Sequence, residues 1–346
     1  MRTKRVCVPP KENQLGARLI LQFGALMRTL MTAVLPVLTL SLSLGCTDSK
    51  DGSDTSESTV DGSGDDPGNS SSNPGDAHLF GIGFNTDAGT YETRSVDPDT
   101  AEVSSIASIE FDADGFDSWM GVITDSGAGQ AYAFSSAGTM YSIAMDGSST
   151  EAVGSLSVPL QHMDVGTEGL IGIGYNPVTG LNVLRSVDAA TAQVTDLTTF
   201  AFDTGMWHAY VVNDVEAGVV YAVSTSDTLY RFQMDGSGYE EVGALSQGIQ
   251  HMGLGTDGLI GIGYNTTTGL NEVRSVNTDT AEVTTMSTFA FDSGEWEPWV
   301  VTDPRAGVFY AVSSANTLYR LQMDGSGVET IGMVSDNILG MALGAY

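Results

Sequence analysis

The segment Leu79-Phe-Gly-Ile-Gly-Phe-Asn85 decides the fold, because it returns twice with almost the same residues. Its copies are Leu170-Ile-Gly-Ile-Gly-Tyr-Asn176 and Leu259-Ile-Gly-Ile-Gly-Tyr-Asn265. Met-Asp-Gly-Ser turns repeat as well, at a spacing of 89 residues, starting at Met145, Met234 and Met323. Self-similarity at a fixed period indicates a repeat architecture, so residues 78–346 contain three copies of one unit.

Each copy divides again into two related halves of about forty-five residues. Arg231, Arg274 and Arg320 mark this shorter period, at separations of 43 and 46 residues. Residues 78–346 therefore hold six halves, and each half has room for four short strands with turn-forming residues between them. In the last half the strands are predicted at 299–302, 308–312, 317–322 and 328–334. Four strands per forty-odd residues, repeated, are typical of β-propeller blades.

The two ends of the repeat region predict how the ring closes. The first half begins at Leu79 with the second strand of its blade and lacks the first. The chain finishes with 338–346, which matches the innermost strands at 161–166 and 250–255. We predict an all-β, six-bladed β-propeller of three double-blade repeats, in which the C-terminal strand completes blade 1 and removes an exposed edge. A β-solenoid is the alternative, but it would gain nothing from such a permuted end.

Two hairpins carry a resemblance to known families. Leu229-Tyr-Arg-Phe-Gln-Met-Asp-Gly-Ser-Gly238 and Leu318-Tyr-Arg-Leu-Gln-Met-Asp-Gly-Ser-Gly327 resemble the blade hairpins of TolB-like and YWTD-type six-bladed propellers. The resemblance covers one hairpin in every second blade and implies the propeller fold. Most members of those families bind proteins, whereas other six-bladed propellers are lactonases or lyases, so the fold alone does not choose a function.

Residues 1–46 are predicted to form a secretory leader. Met27-Arg28 is followed by an apolar stretch at 30–44 and then by Gly45-Cys46. A basic start, an apolar core and a small residue before the cut are the parts of a signal peptide. An ordinary cleaved signal and an uncleaved anchor are the alternatives, although the apolar run is short for a membrane span and contains Pro36. Translation starts at Met1 or at Met27.

Cys46 is the predicted lipidation site. A cysteine directly after a small residue resembles the lipobox of bacterial lipoproteins, which implies that the thiol receives a diacylglyceryl group; Ser43 and Leu44 depart from that pattern. The resemblance implies a bacterial cell-envelope protein held to the membrane only by its lipid. Thr47 does not resemble an inner-membrane retention signal, so the outer membrane is favoured, and secretion is the alternative.

Residues 47–77 form an acidic linker rich in Ser, Gly and Asp. With almost no apolar side chain to bury, the segment cannot offset the entropy of folding, and we predict that it is disordered. Its simplest role is to hold the domain at 78–346 away from a membrane surface.

Composition limits the partners. The formal charge is −30, and every lysine lies within the first fifty residues. Such a surface excludes nucleic acid and anionic lipid, which require clustered Lys and Arg, and leaves cations, neutral ligands or basic proteins. Both cysteines, Cys7 and Cys46, precede the repeats, which excludes a disulfide or Cys-based metal site in the folded part. We expect a monomer.

Three related loops lead from the fourth strand of one blade to the first strand of the next and hold all four tryptophans. Aromatic faces stack on sugar rings or hold cations, and carboxylates between them add hydrogen bonds. The predicted ligand-binding residues in these loops are Trp119, Trp207, His208, Tyr210, Trp296 and Trp299, with Asp112, Asp203 and Asp292. His162 and His251, from the other loops, complete this candidate set. The alternative is that the tryptophans pack between blades and the aspartates cap turns.

His162 and His251 occupy equivalent positions in the other three loops, where the third repeat has Gly340. Neutral imidazoles near carboxylates suit Zn²⁺. With the third histidine missing we favour a structural or channel-lining role and predict no metal site. Calcium at the Asp-Gly turns stays open as a cofactor, although these turns lack the alternating ligands of an EF-hand and a hairpin needs Asp-Gly anyway. The repeated arginines are predicted to pair with carboxylates of adjacent blades.

The sequence contains no Gly-x-Ser-x-Gly elbow, no phosphate-binding loop and no His-Glu-x-x-His motif. We therefore predict no catalytic residue and favour a non-catalytic binding or scaffolding envelope lipoprotein that presents one propeller face to a protein or a glycan. The alternative is a lyase or lactonase-type enzyme at the channel mouth, which would use His208 or His251 with nearby carboxylates.

Overall fold

The computed structural model describes residues 78–112, 115–116, 121–160, 162–202, 211–291, 300–334 and 338–344. Within these ranges all regular structure is β, with 24 strands in six four-stranded antiparallel sheets. No helix in this part of the chain is long and apolar enough to cross a membrane. The leader at 1–46, Cys46 and the linker at 47–77 lie outside the described residues and stay predictions.

Each sheet is one blade, and its strands are given from the inner edge to the outer edge. Blade 1 contains β24 (Ile338–Leu343), β1 (Leu79–Asn85), β2 (Thr90–Val96) and β3 (Val103–Ile109). Blade 2 contains β4 (Val122–Asp125), β5 (Gln130–Phe134), β6 (Thr139–Ala144) and β7 (Thr150–Ser155). Blade 3 contains β8 (His162–Gly166), β9 (Gly169–Asn176), β10 (Leu181–Val187) and β11 (Val194–Phe200).

The second half of the ring repeats this order. Blade 4 contains β12 (Val211–Asp214), β13 (Val219–Val223), β14 (Thr228–Gln233) and β15 (Tyr239–Ala244). Blade 5 contains β16 (His251–Gly255), β17 (Gly258–Asn265), β18 (Leu270–Val276) and β19 (Val283–Phe289). Blade 6 contains β20 (Val300–Asp303), β21 (Val308–Val312), β22 (Thr317–Gln322) and β23 (Val328–Met333).

The C-terminal strand closes the ring, as predicted. β24 pairs antiparallel with β1, with Leu343 opposite Leu79 and Met341 opposite Gly81. Beyond the strand, the amide of Gly344 donates a hydrogen bond of 2.6 Å to the carbonyl oxygen of His78. Each inner strand contacts the inner strands of both neighbouring blades. The six-bladed propeller with a C-terminal closing strand is therefore confirmed.

The hydrophobic core lies between the blades. Six apolar clusters fill the six seams between neighbouring sheets. In the seam between blades 6 and 1, Leu79 and Val96 pack with Tyr310, Leu318 and Met341. Because strand side chains alternate between the two faces of a sheet, each blade supplies one apolar set to each neighbour, so stability depends on the ring being complete.

The Asp-Gly turn in the second blade of each repeat packs against the outer strand of the first blade. In the turn of blade 6, Gly325 has φ +73°, a conformation that other residues rarely adopt. A methyl group at Gly325 would also lie 2.7 Å from Cβ of Met286 on the outer strand of blade 5, too close for a real contact. Asp324 accepts a 2.8 Å hydrogen bond from the amide of Ser326. Turn geometry and close packing explain this Asp-Gly pair.

The prediction for the repeated arginines is confirmed for one set and wrong for another. Arg231 pairs with Asp279 of blade 5 at 2.9 Å, and Arg320 pairs with Asp99 of blade 1. Arg274, in contrast, pairs with Glu272 of its own strand at 2.7 Å. Residues two apart in a strand lie on one face, so the nearer carboxylate is the one on the same strand. Arg185 likewise pairs within its blade, with Asp196.

Candidate functional site

The six inner strands, β24, β4, β8, β12, β16 and β20, surround the central channel and begin at one end of the ring. We call this end the mouth face. The described residues that flank the tryptophan-bearing loops place the ends of those loops here. Most predicted ligand-binding residues lie outside the described residues and stay predictions, namely Trp119, Trp207, His208, Tyr210, Trp296, Trp299, Asp203 and Asp292.

Asp112 is the described member of the predicted aspartate set. Its Oδ2 accepts a 2.6 Å hydrogen bond from the hydroxyl of Thr139, and its backbone amide donates to the hydroxyl of Tyr141 at 2.9 Å. Its carbonyl oxygen accepts a hydrogen bond from the amide of Gly115. These bonds tie the loop to β6, which favours the turn-capping role for Asp112.

His162 and His251 are the first residues of β8 and β16. They pair with equivalent isoleucines of the neighbouring strands, and Gly340 of β24 has the same register. A methyl group at Gly340 would lie 3.0 Å from Cγ2 of Val122 and 3.3 Å from Cζ of Phe116. Blade 2 therefore fills the space that a third histidine would need.

His162 and His251 interact electrostatically. Burial, followed by the charge of His162, lowers the pKa of His251 to about 3. At neutral pH His251 is therefore uncharged and offers one donor nitrogen and one acceptor nitrogen. The two residues lie in blades 3 and 5, a proximity that sequence spacing does not reveal. Among the described residues, no three His, Cys, Asp or Glu side chains converge as metal ligands.

Asp164 follows His162 on the same face of β8. Burial raises the pKa of its carboxyl group to about 6, while hydrogen bonds from the backbone amides of Val165 and Asn213 act in the opposite direction. The amide of Val165 donates to Oδ1 of Asp164 at 2.7 Å. Because the net shift is upward, desolvation outweighs these hydrogen bonds. No charged side chain is among the causes of the shift.

Asn213 of β12 lies beside Asp164 across the seam between blades 3 and 4. Its Nδ2 donates a 2.9 Å hydrogen bond to the carbonyl oxygen of Val165. Because that carbonyl needs a donor, the orientation of the amide is fixed. Asn213 is 7% exposed, and its buried Oδ1 has no hydrogen-bond partner. An acidic group and an unpaired acceptor therefore lie together on an inner strand pair.

The internal repeats provide a comparison for this pair. Met163, Met252 and Met341 are equivalent, and the residue after each is Asp, Gly and Ala, respectively. The residue equivalent to Asn213 is a threonine in both other repeats, Thr124 and Thr302. A methyl group at Gly253 would overlap Thr302, so that seam is closed by packing. Sequence reasoning missed the pair, although aligning the three repeats reveals both departures.

Comparison with known proteins agrees with this architecture. No family model and no curated protein matches the chain. Among solved structures, TolB from Acinetobacter baumannii is similar, with a TM-score of 0.58 and 13% identity over 79% of this chain and 68% of that chain. The fold is thus a six-bladed propeller similar to that of TolB.

Two oligogalacturonate lyase structures are also similar to this propeller. One, in complex with manganese, has a TM-score of 0.49 and 13% identity, covering 71% of this chain and 72% of that chain. The other, from Vibrio parahaemolyticus, has a TM-score of 0.49 and 10% identity, covering 74% of this chain and 80% of that chain. At these identities the likeness concerns the fold and not the function.

Asp164→Asn is expected to stabilise the propeller at neutral pH by about 3 kcal/mol. The folded-state pKa of Asp164 lies above the unfolded value, so its contribution to stability is present below about pH 4 and is lost as the pH rises through about 6. The gain from the substitution should therefore vanish at about pH 4. Urea unfolding of both proteins across this range measures the difference; an equal gain at every pH would contradict the assignment.

Proposed function

We propose that the protein is a non-catalytic binding lipoprotein of the bacterial cell envelope, tethered through Cys46, which presents the mouth face of its propeller to a protein or a glycan. The observation that carries the proposal is that polar residues repeated in every copy form hydrogen bonds and ion pairs within the propeller itself. Asp112 is bonded to Thr139, and Arg231 and Arg320 join neighbouring blades. The repeated residues thus stabilise the ring, and we assign ligand binding to the mouth-face loops, which differ between the repeats.

The charge of the propeller supports a basic protein or a neutral glycan as the ligand. Residues 78–346 contain 34 acidic residues against six arginines and no lysine. Five of these arginines form ion pairs with carboxylates of the propeller. A surface with this balance attracts cationic groups and repels polyanions.

The test uses two substitutions in the mouth-face loops, Trp207→Ala and Trp296→Ala. We expect each to weaken capture of the ligand by at least tenfold, because truncating an aromatic anchor at an interface typically costs about 2 kcal/mol or more. Binding would be measured on a glycan array and by cross-linking in envelope extracts, and thermal unfolding would be followed by circular dichroism.

Val215→Ala provides the matched control. Val215 is an exposed apolar residue in the turn after β12, at the end of the ring opposite the mouth face. This substitution should leave capture unchanged. Equal losses in all three variants, or no loss in the tryptophan variants, would contradict binding at the mouth face.

One observation favours the alternative, a propeller enzyme of the lyase or lactonase class. The pKa of Asp164 is raised to about 6, above that of an ordinary aspartate, and the pKa of His251 is lowered to about 3, below that of an ordinary histidine. Groups whose pKa values are pushed in this way cluster at active sites. Turnover of a uronate oligomer or a lactone that disappears in Asp164→Asn would replace the binding proposal with this one.

A further inference from the structure

We propose that Asp164 and Asn213 form a receptor for a primary ammonium group where the inner strands of blades 3 and 4 meet, supplied by a free amine or by a lysine side chain. The site does not depend on whether the mouth face binds a protein or a glycan. It lies on β8 and β12, one inner strand from each of blades 3 and 4.

The donors and acceptors at this place are unbalanced. Oδ1 of Asn213 is buried and unpartnered, and the residue as a whole is 7% exposed. The carboxyl group of Asp164 accepts hydrogen bonds from two backbone amides, those of Val165 and Asn213. A buried acceptor without a donor costs about 1–3 kcal/mol, and a ligand that donates to both groups removes that cost.

In the described part of the propeller, no charged side chain is among the causes of the shift in the pKa of Asp164. On its own strand Asp164 shares a face with His162, and the paired strand β9 places Ile171 opposite it. The inner strands packed against β8 are β12, which carries the neutral amide of Asn213 and ends at Asp214, and β4, which ends at Asp125. Desolvation is therefore the largest cause of the raised pKa of Asp164, and the strands packed against β8 add carboxylates and not cations.

An ammonium group fits this arrangement better than a metal ion or a guanidinium. No three metal-binding side chains converge in the described part of the chain, and Ca²⁺ takes six to eight oxygen ligands. A guanidinium binds best to both oxygens of a free carboxylate, but Oδ1 of Asp164 is already engaged by Val165. An ammonium is a compact charge with three donors on a flexible stem, which suits two separate acceptors on neighbouring strands.

The internal symmetry argues that the pair is retained for binding. The equivalent seams contain Gly253 with Thr302 and Ala342 with Thr124. A small residue and a threonine are therefore enough to pack two inner strands against each other. Asp164 and Asn213 replace that solution with two groups that each lower the stability of the folded state. Two such departures in contact with each other indicate one shared role.

The ammonium site can be tested by titration calorimetry of the full-length protein with n-butylamine and with Nα-acetyl-lysine methylamide. We expect both to bind at neutral pH, with an affinity that falls about tenfold for each pH unit below about 6, because protonation of Asp164 competes with the cation. Tighter binding of the lysine derivative would identify a protein side chain as the source, and equal binding would identify the ammonium group alone. Methylguanidinium and K⁺ should bind at least tenfold more weakly.

Two variants remove the site in different ways. Asp164→Asn keeps the shape and removes the charge, and the double variant Asp164→Gly with Asn213→Thr installs the Gly253–Thr302 pairing of the other seam. Both should weaken amine binding at least tenfold, whereas Thr302→Asn, in the equivalent seam, should not change it. The ammonium site is wrong if neither amine binds, if both variants bind as the parent does, or if methylguanidinium binds equally well.

Discussion

Ending the chain after Val334, which removes β24, is expected to prevent the whole propeller from folding. The deletion leaves β1 with an unpaired edge and takes Met341 out of the apolar cluster between blades 6 and 1. An exposed edge strand invites pairing with other chains, so the product should be aggregated or largely unfolded. Circular dichroism, size-exclusion chromatography and thermal unfolding measure the effect.

The control for this truncation removes only residues 345–346. The last described hydrogen bond of the closing segment is made by Gly344, so this shorter deletion should leave the melting temperature unchanged. Adding a synthetic peptide of residues 338–346 to the longer deletion should restore part of the signal. A soluble monomer with the parent's melting temperature after loss of β24 would contradict the closed ring.

Gly261→Ala is expected to destabilise the protein by about 3 kcal/mol. Gly261 lies in β17 between Met252 of β16 and Arg274 of β18. A methyl group at this position would overlap the carbonyl oxygen of His251, a backbone atom that cannot rotate away. The inner strand that carries His251 would have to shift, and urea unfolding should show a lower midpoint.

Gly238→Ala is the matched control for this substitution. A methyl group there has no heavy atom within 4 Å, and Gly238 is not among the residues with positive φ. Its free energy of unfolding should stay within about 0.5 kcal/mol of the parent. A change at Gly261 no larger than the change at Gly238 would show that β16 and β17 approach less closely than described.

The fold was predictable because its information is periodic. The copies of Leu79–Asn85 mark the repeats, and the match between the C-terminal residues and the inner strands predicts the closing strand that β24 forms. Strand bounds in blade 6 agree within one residue, with β20 at Val300–Asp303 where 299–302 was predicted. The partners of the arginines were only partly predictable, because a carboxylate on the same strand and one on the next blade look alike in sequence.

The site was harder to predict, because its residues are far apart in the sequence and come together only in the folded protein. Asn213 donates to the carbonyl of Val165 across 48 residues of sequence, and His162 acts on His251 from two blades away. Burial, which raises the pKa of Asp164, cannot be read from the residue itself. The departure of Asp164 from Gly253 and Ala342 is nevertheless visible in the sequence, and a search for broken symmetry would have found it.

Hydrogen exchange of the β24 amides tests the closed ring most directly, because it perturbs nothing. If Leu339–Leu343 pairs with β1 in every molecule, these amides exchange only through global unfolding, at the same rate as amides of the central strands β17 and β21. Exchange of β24 within seconds, as in a frayed terminus, while β17 and β21 remain protected would contradict the closing strand and the channel that depends on it.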